Sequence, residues 1–420
     1  MRRRDVRYGR HAIRSVPAVV AQRGAGRVLL VCGGRSFEAS GAARVLPELS
    51  RIAEVTRWSE FAPNPDATDL ARGLELLAAV RPDLVLGIGG GSTMDLAKLL
   101  TGFAGITDLA KLREVIRAGD RVTARRLGLV LAPTTSGSGS EATHFAVVYL
   151  GEEKFSVAGD PLRPDVVILD PELSRSAPPY QRASAGIDAV AQGIESLWAA
   201  GATAASRRWA RHALGLLLPA IERFVHRPTD PTARAMAIGS HLAGRAIDIS
   251  RTTAAHALSY AITKRYGVSH GHAVALTLGP LIEAHGRAAA DQLQPAVSAT
   301  AHGAAMREVL AMLGATSPVG GRQRFAELLS AIGLPGRLPV AGAPGAVRVA
   351  LDDLVRAANP ERLGNNPVRL TRAELRNLLL NVTTREEMHT DGPDLGRAPD
   401  PQPGGVSPAG ARVPRRPDPP

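Results

Sequence analysis

The feature that most constrains the fold is a regular alternation of apolar segments and helical patterns in the first 170 residues. Strands that alternate with helices form a largely parallel sheet, with ligand-binding loops at the carboxyl ends of the strands. The chain is therefore predicted to begin with an α/β domain over residues 1–178, Rossmann-like in layout. Apolar runs predict strands at 27–34, 54–58, 84–88, 127–131, 145–150, 154–158 and 166–169, and helical periodicity covers 39–52 and 68–80.

From Pro179 to about Val382 the pattern is almost wholly helical. We place the domain boundary near residues 176–180, so that residues 179–385 form an all-α second domain. Beyond Thr390, proline and glycine dominate and apolar residues become scarce. Such a segment cannot bury enough apolar surface to fold, so residues 390–420 are predicted to be a disordered tail.

Composition excludes several classes of function. The 420-residue chain has one cysteine, Cys32, so it cannot form an internal disulfide and fits a reducing compartment. No apolar run approaches the roughly 20 residues that span a bilayer, and no signal-peptide pattern opens the sequence. The net charge is +12, but aromatic residues are only 4%, which argues against nucleic acid. We expect a cytoplasmic protein with no membrane or nucleic-acid partner, whose charge favours an anionic small molecule.

Two polar, flexible loops follow neighbouring predicted strands. The first, Gly89, Gly90, Gly91 and Ser92, precedes a helix whose first turn carries Asp95. Backbone N–H groups at a helix N-terminus bind anions, and glycine lets the backbone approach a pyrophosphate closely. The second loop, TTSGSGSE at 134–141, follows the strand at 127–131. Together the loops predict a dinucleotide site, although their spacing is not that of the G-x-G-x-x-G fingerprint.

A second set of residues has the chemistry of a metal site. His256 and His270 are separated by a helical pattern and a break at Gly267, so one imidazole projects from a helix and the other from the start of the next. Asp188 and Gln192, four residues apart, share one face of a predicted helix. Two imidazoles, a carboxylate and an amide oxygen suit a divalent first-row metal. The alternative is that His256 is a core histidine and His270 a helix cap.

The motifs GGGSTMDLAK (89–98) and PTTSGSGSEAT (133–143) closely resemble the paired motifs of the iron-containing (group III) alcohol dehydrogenase family. The segment around Asp188, the two histidines and Asn366-Pro367 resemble its later motifs, and the resemblance covers about residues 7 to 382. It implies a dehydroquinate synthase-like fold, with an α/β dinucleotide-binding domain, an all-α metal-binding domain and a cleft between them.

The resemblance also implies a role for each matching residue. Asp95 would organise the first loop, and Lys154 would complete the cofactor pocket unless it is a solvated strand end. Together with the residues discussed next, the candidates are as follows. We predict cofactor binding by Gly33, Arg35, Gly89, Gly90, Gly91, Ser92, Asp95, Thr134, Thr135, Ser138 and Lys154, metal binding by Asp188, Gln192, His256 and His270, and catalysis by His256, His270, His272 and Tyr260.

Three departures from the family pattern are informative. Gln192 occupies the position at which most members have histidine. The sequence therefore does not decide whether the metal is Fe²⁺, Zn²⁺ or Mn²⁺. The alternative is that Gln192 does not bind the metal, which leaves three protein ligands. Tyr260 replaces a histidine and either relays a proton or packs. Gly33 replaces an acidic residue that binds the adenosine ribose, and Arg35 is near, which favours NADP(H) over NAD(H).

Five features belong to a narrower pattern: Gln192 and the segments 143–149, 154–156, 252–260 and 270–276. Together they resemble the phosphonoacetaldehyde reductase branch of the family, which implies reduction of phosphonoacetaldehyde to 2-hydroxyethylphosphonate in phosphonate biosynthesis. A phosphonate dianion needs donors and positive charge. His144, Arg163, Lys264 and His272 are near the motifs and could supply them, or could be surface or packing residues. The expected partner is a small anionic aldehyde, and a homodimer is the oligomeric state to test.

The expected mechanism is hydride transfer from NADP(H) or NAD(H) to an aldehyde polarised by a divalent metal. Water, the ribose hydroxyls or His272 would protonate the product, and the sequence does not choose among them. Two alternatives remain: a generic iron-type alcohol dehydrogenase for another small aldehyde or alcohol, and a non-catalytic nucleotide-binding regulator with a degenerate metal site.

Overall fold

The computed structural model describes residues 5–151, 153–341 and 344–386. The tail predicted for residues 390–420 lies outside the described residues, as do the first four positions of the predicted α/β domain. Within the described part of the chain, no helix is both long enough and apolar enough to cross a bilayer.

A six-stranded, wholly parallel sheet forms the centre of the N-terminal part, in the order β1-β8-β5-β4-β2-β3. This arrangement confirms the predicted α/β class. The eight strands of this part, of which β6 and β7 pair as a separate antiparallel hairpin, are β1 Asp5–Tyr8, β2 Arg27–Cys32, β3 Glu54–Trp58, β4 Leu84–Gly89, β5 Gly128–Pro133, β6 Phe145–Leu150, β7 Glu153–Ala158 and β8 Val166–Leu169.

Helices cover both faces of the sheet. Their apolar sides pack on the two faces of β2, β4 and β5, whose residues are all buried except the first residue of β2 and of β5. The helices of this part are α1 Val16–Gln22, α2 Gly34–Ala39, α3 Leu46–Ile52, α4 Ala67–Val80, α5 Gly91–Gly102 and α6 Leu109–Ala118.

The structure corrects the expectations at two places. The helix predicted over 39–52 is instead the end of α2, a 3-10 turn and α3, because Gly41 adopts a left-handed φ of 79° and Pro47 starts a new helix. β1 was not predicted, since its side chains are mostly exposed and carry no apolar run. The strand predicted at 166–169 is present and joins the central sheet between β1 and β5.

The C-terminal part is helical, as predicted, with α7 at its centre. The side chains of α7 are buried over most of its length against α8, α9 and α11. A short parallel pair, β9 Leu338–Ala341 with β10 Thr383–Glu386, was not predicted. The helices are α7 Pro179–Trp198, α8 Ala204–His226, α9 Asp230–Ser250, α10 Ala254–Tyr266, α11 His270–Arg287, α12 Ala299–Met312, α13 Pro318–Ala331, α14 Pro344–Arg356, α15 Pro360–Gly364 and α16 Arg372–Leu380.

The carboxyl edge of the sheet faces the helical part directly. Gly139, in the loop after β5, has a φ of 61°, and a Cβ there would lie 2.5 Å from the Cα of Gly244 on α9. Because the two backbones touch, the loops at the strand ends are held against the helices. We propose the division between the parts at 178/179, immediately before α7 begins.

Candidate metal and nucleotide site

The first glycine loop opens helix α5 at the end of β4. A Cβ at Gly89 would lie 2.3 Å from Thr93 Oγ1, and one at Gly91 would lie 3.0 Å from Ser138 Oγ. Larger residues would therefore displace the loop. The twelve-residue α5 directs its free N–H groups out of this turn, which is the arrangement that binds a pyrophosphate.

The second loop lies beside the first, as the sequence predicted. The Thr134 N–H donates to the Gly89 carbonyl at 2.9 Å, and a Cβ on Gly90 would be 3.5 Å from Thr135. Ser92 accepts a hydrogen bond from the Asn64 N–H at 3.0 Å. The structure thus brings seven of the predicted cofactor residues to one place: Gly89, Gly90, Gly91, Ser92, Thr134, Thr135 and Ser138.

Asp95 braces these loops. Its carboxylate accepts from Ser140 Oγ at 2.5 Å and from the Val147 N–H at 3.1 Å, so it ties α5 to the second loop and to β6. Burial raises the pKa of Asp95, opposed by the charge of Lys98. Lys98, which the sequence reasoning missed, is fully buried and donates to Thr143 Oγ1 and the Phe145 carbonyl, both at 2.8 Å. Burial lowers the pKa of Lys98 to about 8.

Gly33 and Arg35 lie at the end of β2 and the start of α2. A Cβ at Gly33 would meet Ser36 Oγ at 2.1 Å, so the serine occupies the space that a side chain at position 33 would need. Arg35 is exposed. Arg57, which the sequence reasoning missed, stacks on Phe37 at 4.8 Å, donates to Cys32 Sγ at 3.1 Å and pairs with Glu38. This end of the cleft therefore carries two guanidinium groups.

Three of the predicted metal residues converge from three helices. Ligand atoms of Asp188 on α7, His256 on α10 and His270 on α11 all lie within 4.8 Å of one another. Asp188 Oδ1 is 3.3 Å from His256 Nε2 and 4.0 Å from His270 Nε2. The helix–turn–helix between the histidines therefore brings both imidazoles to one carboxylate, as their spacing suggested.

Gln192 lies one helical turn beyond Asp188 and joins the group. Its Nε2 donates to Asp188 Oδ2 and to the Ser138 carbonyl, each at 3.2 Å. Among the described residues, neither Gln192 Oε1 nor Asp188 Oδ1 has a hydrogen-bond partner, although both are buried. Buried oxygens without partners are costly, and a cation would satisfy them. The two oxygens and two imidazoles thus fit a divalent metal ion of the first transition row.

Glu195 orients His256, and the sequence reasoning missed it. The carboxylate is fully buried and accepts from Thr253 Oγ1 at 2.7 Å, from the Ala255 N–H at 3.1 Å and from His256 Nδ1. This fixes the tautomer so that Nε2 faces Asp188. Burial alone would lower the pKa of His256, but the Glu195 and Asp188 carboxylates raise it to about 9. The sequence does contain a pattern that points to Glu195. Positions 188, 192 and 195 lie on one face of a helix whose second half is mostly apolar.

Glu195→Gln is expected to weaken metal binding about 10–100-fold, because the neutral amide no longer holds His256 in the ligating tautomer. Titration of the stripped protein with Zn²⁺ or Fe²⁺ measures the affinity. Glu222→Gln, at an exposed position on α8, is the matched control and should bind like the unaltered protein. Equal affinities for all three proteins would show that Glu195 has only a packing role.

Tyr260 covers the second histidine. Its ring stacks on His270 with centroids 5.8 Å apart and an interplanar angle of 22°. Lys154 Nζ lies 3.8 Å from the centroid of the Tyr260 ring, so this lysine reaches the metal residues as well as the cofactor loop. Burial lowers the pKa of Lys154 to about 7, opposed by Asp95 and Asp188. Burial and the charge of Lys154 lower the pKa of His270 to about 3.

His272 lies apart from this group. Its Nε2 is 2.7 Å from the Pro335 carbonyl and its Nδ1 is 3.2 Å from the Tyr180 hydroxyl. Both nitrogens have partners, so His272 is placed to hold the start of α11. Of the other predicted donors, His144 and Arg163 meet on Asp248, at 2.7 and 2.5 Å, and Lys264 Nζ lies 5.4 Å from the Tyr149 ring centroid.

Comparison with known proteins agrees with this geometry. Residues 4–171 match the family described as iron-containing alcohol dehydrogenase, and residues 182–383 match the C-terminal part of the Fe-containing alcohol dehydrogenase family. A phosphonoacetaldehyde reductase from Streptomyces viridochromogenes is 34% identical to this chain over 331 residues, which cover 76% of this chain and 81% of the relative.

Two solved structures extend the comparison. A sulfoacetaldehyde reductase from Bifidobacterium kashiwanohense, in complex with NAD+, superposes with a TM-score of 0.77 and 25% identity, over 90% of this chain and 96% of that one. An iron-containing alcohol dehydrogenase from Thermotoga maritima superposes with a TM-score of 0.74 and 23% identity, over 90% and 97% of the two chains, and shows the fold alone.

Proposed function

Because this chain belongs to the iron-containing alcohol dehydrogenase family, we propose that it reduces a small anionic aldehyde with a bound divalent metal and NADPH or NADH. The protein is an oxidoreductase acting on CH–OH groups. The proposed substrate is phosphonoacetaldehyde, which would yield 2-hydroxyethylphosphonate.

The observation that carries the proposal is the hydrogen bond between Gln192 Nε2 and the Ser138 carbonyl, at 3.2 Å. Ser138 belongs to the loop assigned to the cofactor, and Gln192 belongs to the group assigned to the metal. A reaction that needs a metal and a nicotinamide together requires the two sites to be adjacent, and this bond makes them so. A site that bound only a nucleotide would not explain why two buried oxygens beside it, Gln192 Oε1 and Asp188 Oδ1, have no hydrogen-bond partner among the described residues.

Two features support an anionic substrate. Both the relative from S. viridochromogenes and the structure from B. kashiwanohense are named for two-carbon aldehydes that carry an acidic group, phosphonate in one and sulfonate in the other. The net charge of +12 attracts such substrates.

The proposed mechanism assigns tasks to the chain's own residues. When bound, the metal supplies Lewis acidity and the nicotinamide supplies the hydride. Asp188, His256 and His270 hold the metal with Gln192, and Glu195 keeps His256 in the ligating tautomer. Tyr260 stacks on His270 and thereby supports the orientation of its ring. Because both nitrogens of His272 have partners, the proposal leaves protonation of the product to water or to a ribose hydroxyl.

The test of this function is the oxidation of NADPH, followed by absorbance, with phosphonoacetaldehyde, butanal and lactaldehyde. Turnover is expected with all three, fastest with phosphonoacetaldehyde, and it should stop after chelation and return with added Fe²⁺, Zn²⁺ or Mn²⁺. A faster reaction with a neutral aldehyde would favour the generic alcohol dehydrogenase. Binding of NADPH without any turnover would favour a regulatory protein with a degenerate metal site.

The cofactor preference is a separate expectation. Gly33 lacks a carboxylate to repel a 2′-phosphate, and Arg35 and Arg57 lie at the same end of the cleft, so KM should be lower for NADPH than for NADH by about 10-fold. The opposing consideration is that Glu38 pairs with Arg57, and the B. kashiwanohense structure contains NAD+. Steady-state measurement of KM for NADPH and for NADH tests this preference. A clearly lower KM for NADH would contradict it.

A further inference from the structure

Arg362 is a buried cation with an unsatisfied donor. This residue lies on α15 and is only 5% exposed to solvent. Within the described part of the chain, its Nη1 has no hydrogen-bond partner. A buried guanidinium usually has an anion opposite it, because leaving the charge unpaired costs several kcal/mol. Neither the fold nor the metal group uses this nitrogen.

A second guanidinium lies close to the first. Arg251 Cζ is 4.8 Å and Arg362 Cζ is 6.0 Å from the ring centroid of Phe145. Burial and repulsion by Arg362 lower the pKa of Arg251. The carboxylates of Glu361 and Asp248 oppose this lowering, and Asp248 itself accepts from His144 and from Arg163. Two cations therefore converge on one aromatic ring.

The backbone of Arg251 is held in a conformation that glycine adopts and other residues avoid. Its φ is 62° and its ψ is 177°, a combination that strains the backbone of a residue with a side chain. Asn365 fixes this turn, since its Nδ2 donates to the Ser250 carbonyl at 2.8 Å and to the Thr252 carbonyl at 2.9 Å. Asn365 follows α15, so one segment both carries Arg362 and holds Arg251.

Arg362 lies near the metal residues. Its helix α15 packs on α10, the helix that carries His256 and Tyr260, and the Asn359 N–H donates to the Ala257 carbonyl at 3.4 Å. Burial raises the pKa of the Tyr260 phenol, and the charge of Arg362 opposes that rise. Tyr260 in turn stacks on His270 at 5.8 Å. One tyrosine thus separates the guanidinium of Arg362 from a metal ligand, a separation that suits a substrate with an aldehyde at one end and an anion at the other.

We propose that Arg362 and Arg251 form the anion subsite of this enzyme and bind a tetrahedral oxyanion, phosphonate or sulfonate, carried on the carbon next to the aldehyde. This proposal rests on the proposed function and names the residues that select its substrate class. The planar fork of arginine matches such an oxyanion by paired hydrogen bonds. The sequence reasoning had considered His144, Arg163, Lys264 and His272 for this task, and the first two instead engage Asp248.

Arg362→Met tests the subsite, since methionine keeps the buried stem and removes the charge. The ratio of kcat/KM for phosphonoacetaldehyde to that for butanal should fall at least about 10-fold, the effect of losing a hydrogen bond to a charged group. Sulfoacetaldehyde, measured beside them, shows whether a dianion or a monoanion is preferred. Arg324→Met, an exposed arginine on α13, is the matched control and should leave the ratio unchanged.

Arg251→Gly separates recognition from folding. Glycine relieves the backbone strain, so the unfolding temperature should stay level or rise, while methylphosphonate should bind at least about 10-fold more weakly. Calorimetry with methylphosphonate and the metal-loaded protein measures this directly, and it also tests the subsite if no aldehyde is turned over. In that event the proposed function fails and the subsite is decided by the calorimetry alone.

Three results would overturn the proposal. The first is an unchanged substrate ratio in Arg362→Met together with unchanged methylphosphonate binding in Arg251→Gly. The second is a rise in KM for NADPH in Arg362→Met that is the same with every aldehyde, which would assign the arginine to the cofactor. The third is failure of methylphosphonate to bind the unaltered protein.

Discussion

Replacing both His256 and His270 with alanine is expected to remove the metal and to lower turnover at least about 1,000-fold. The reason is that two of the three converging ligands disappear, and the loss of carbonyl polarisation is worth several kcal/mol of transition-state stabilisation. Elemental analysis of the purified protein should fall from about one metal per chain to a small fraction of that. Aldehyde-dependent oxidation of NADPH gives the turnover.

The control for this change is His212→Ala with His226→Ala, two exposed histidines on α8. That protein should keep its metal and its activity. Far-UV circular dichroism and the unfolding temperature show whether both doubly substituted proteins are folded. The contrary result is a folded, metal-free His256→Ala, His270→Ala protein that still turns over. That result would show that the reaction does not need the metal, and the function of the glycine loops would have to be reconsidered.

Gly271→Ala is expected to have the second-largest effect, although the residue touches neither metal nor cofactor. A Cβ at this position would lie 1.9 Å from the Ser184 carbonyl and 2.8 Å from Asp188 Cβ, so α11 could not stay in contact with α7. Overpacking of this kind costs about 1–3 kcal/mol of stability. His270 precedes Gly271 and would move away from Asp188, and a shift of about 1 Å at a reacting site lowers the rate about 100-fold.

Chemical denaturation, metal titration and kcat/KM measure the three consequences. Gly215→Ala is the matched control: it lies on the exposed face of α8, with no atom within 4 Å of the added Cβ. That change should stabilise the protein by about 0.5–1 kcal/mol, because alanine favours a helix over glycine. If Gly271→Ala behaved like Gly215→Ala, the close approach of α7 and α11 would not be what places His270.

Local patterns alone determined the class of fold and the positions of the main motifs. Apolar runs of four to six residues predicted β2, β4, β5 and β8, since a parallel strand buried on both faces is apolar throughout. A weaker pattern predicted β3, so five of the six sheet strands were predicted. The same patterns placed Asp188, His256 and His270 on helices and put the two glycine loops at neighbouring strand ends. β1 was not predicted, because an exposed strand at the edge of a sheet has no continuous apolar run.

The tertiary structure decided how these motifs work together. The bond from Gln192 to Ser138 spans 54 residues and that from Glu195 to His256 spans 61. Arg362 and Arg251 reach the Phe145 ring from separate segments of the chain, so no local periodicity can report these contacts. Whether a buried polar atom is satisfied depends on every chain segment that packs around it. Sequence periodicity reports which face of an element is buried, whereas the partners across that face are set by packing of the whole molecule.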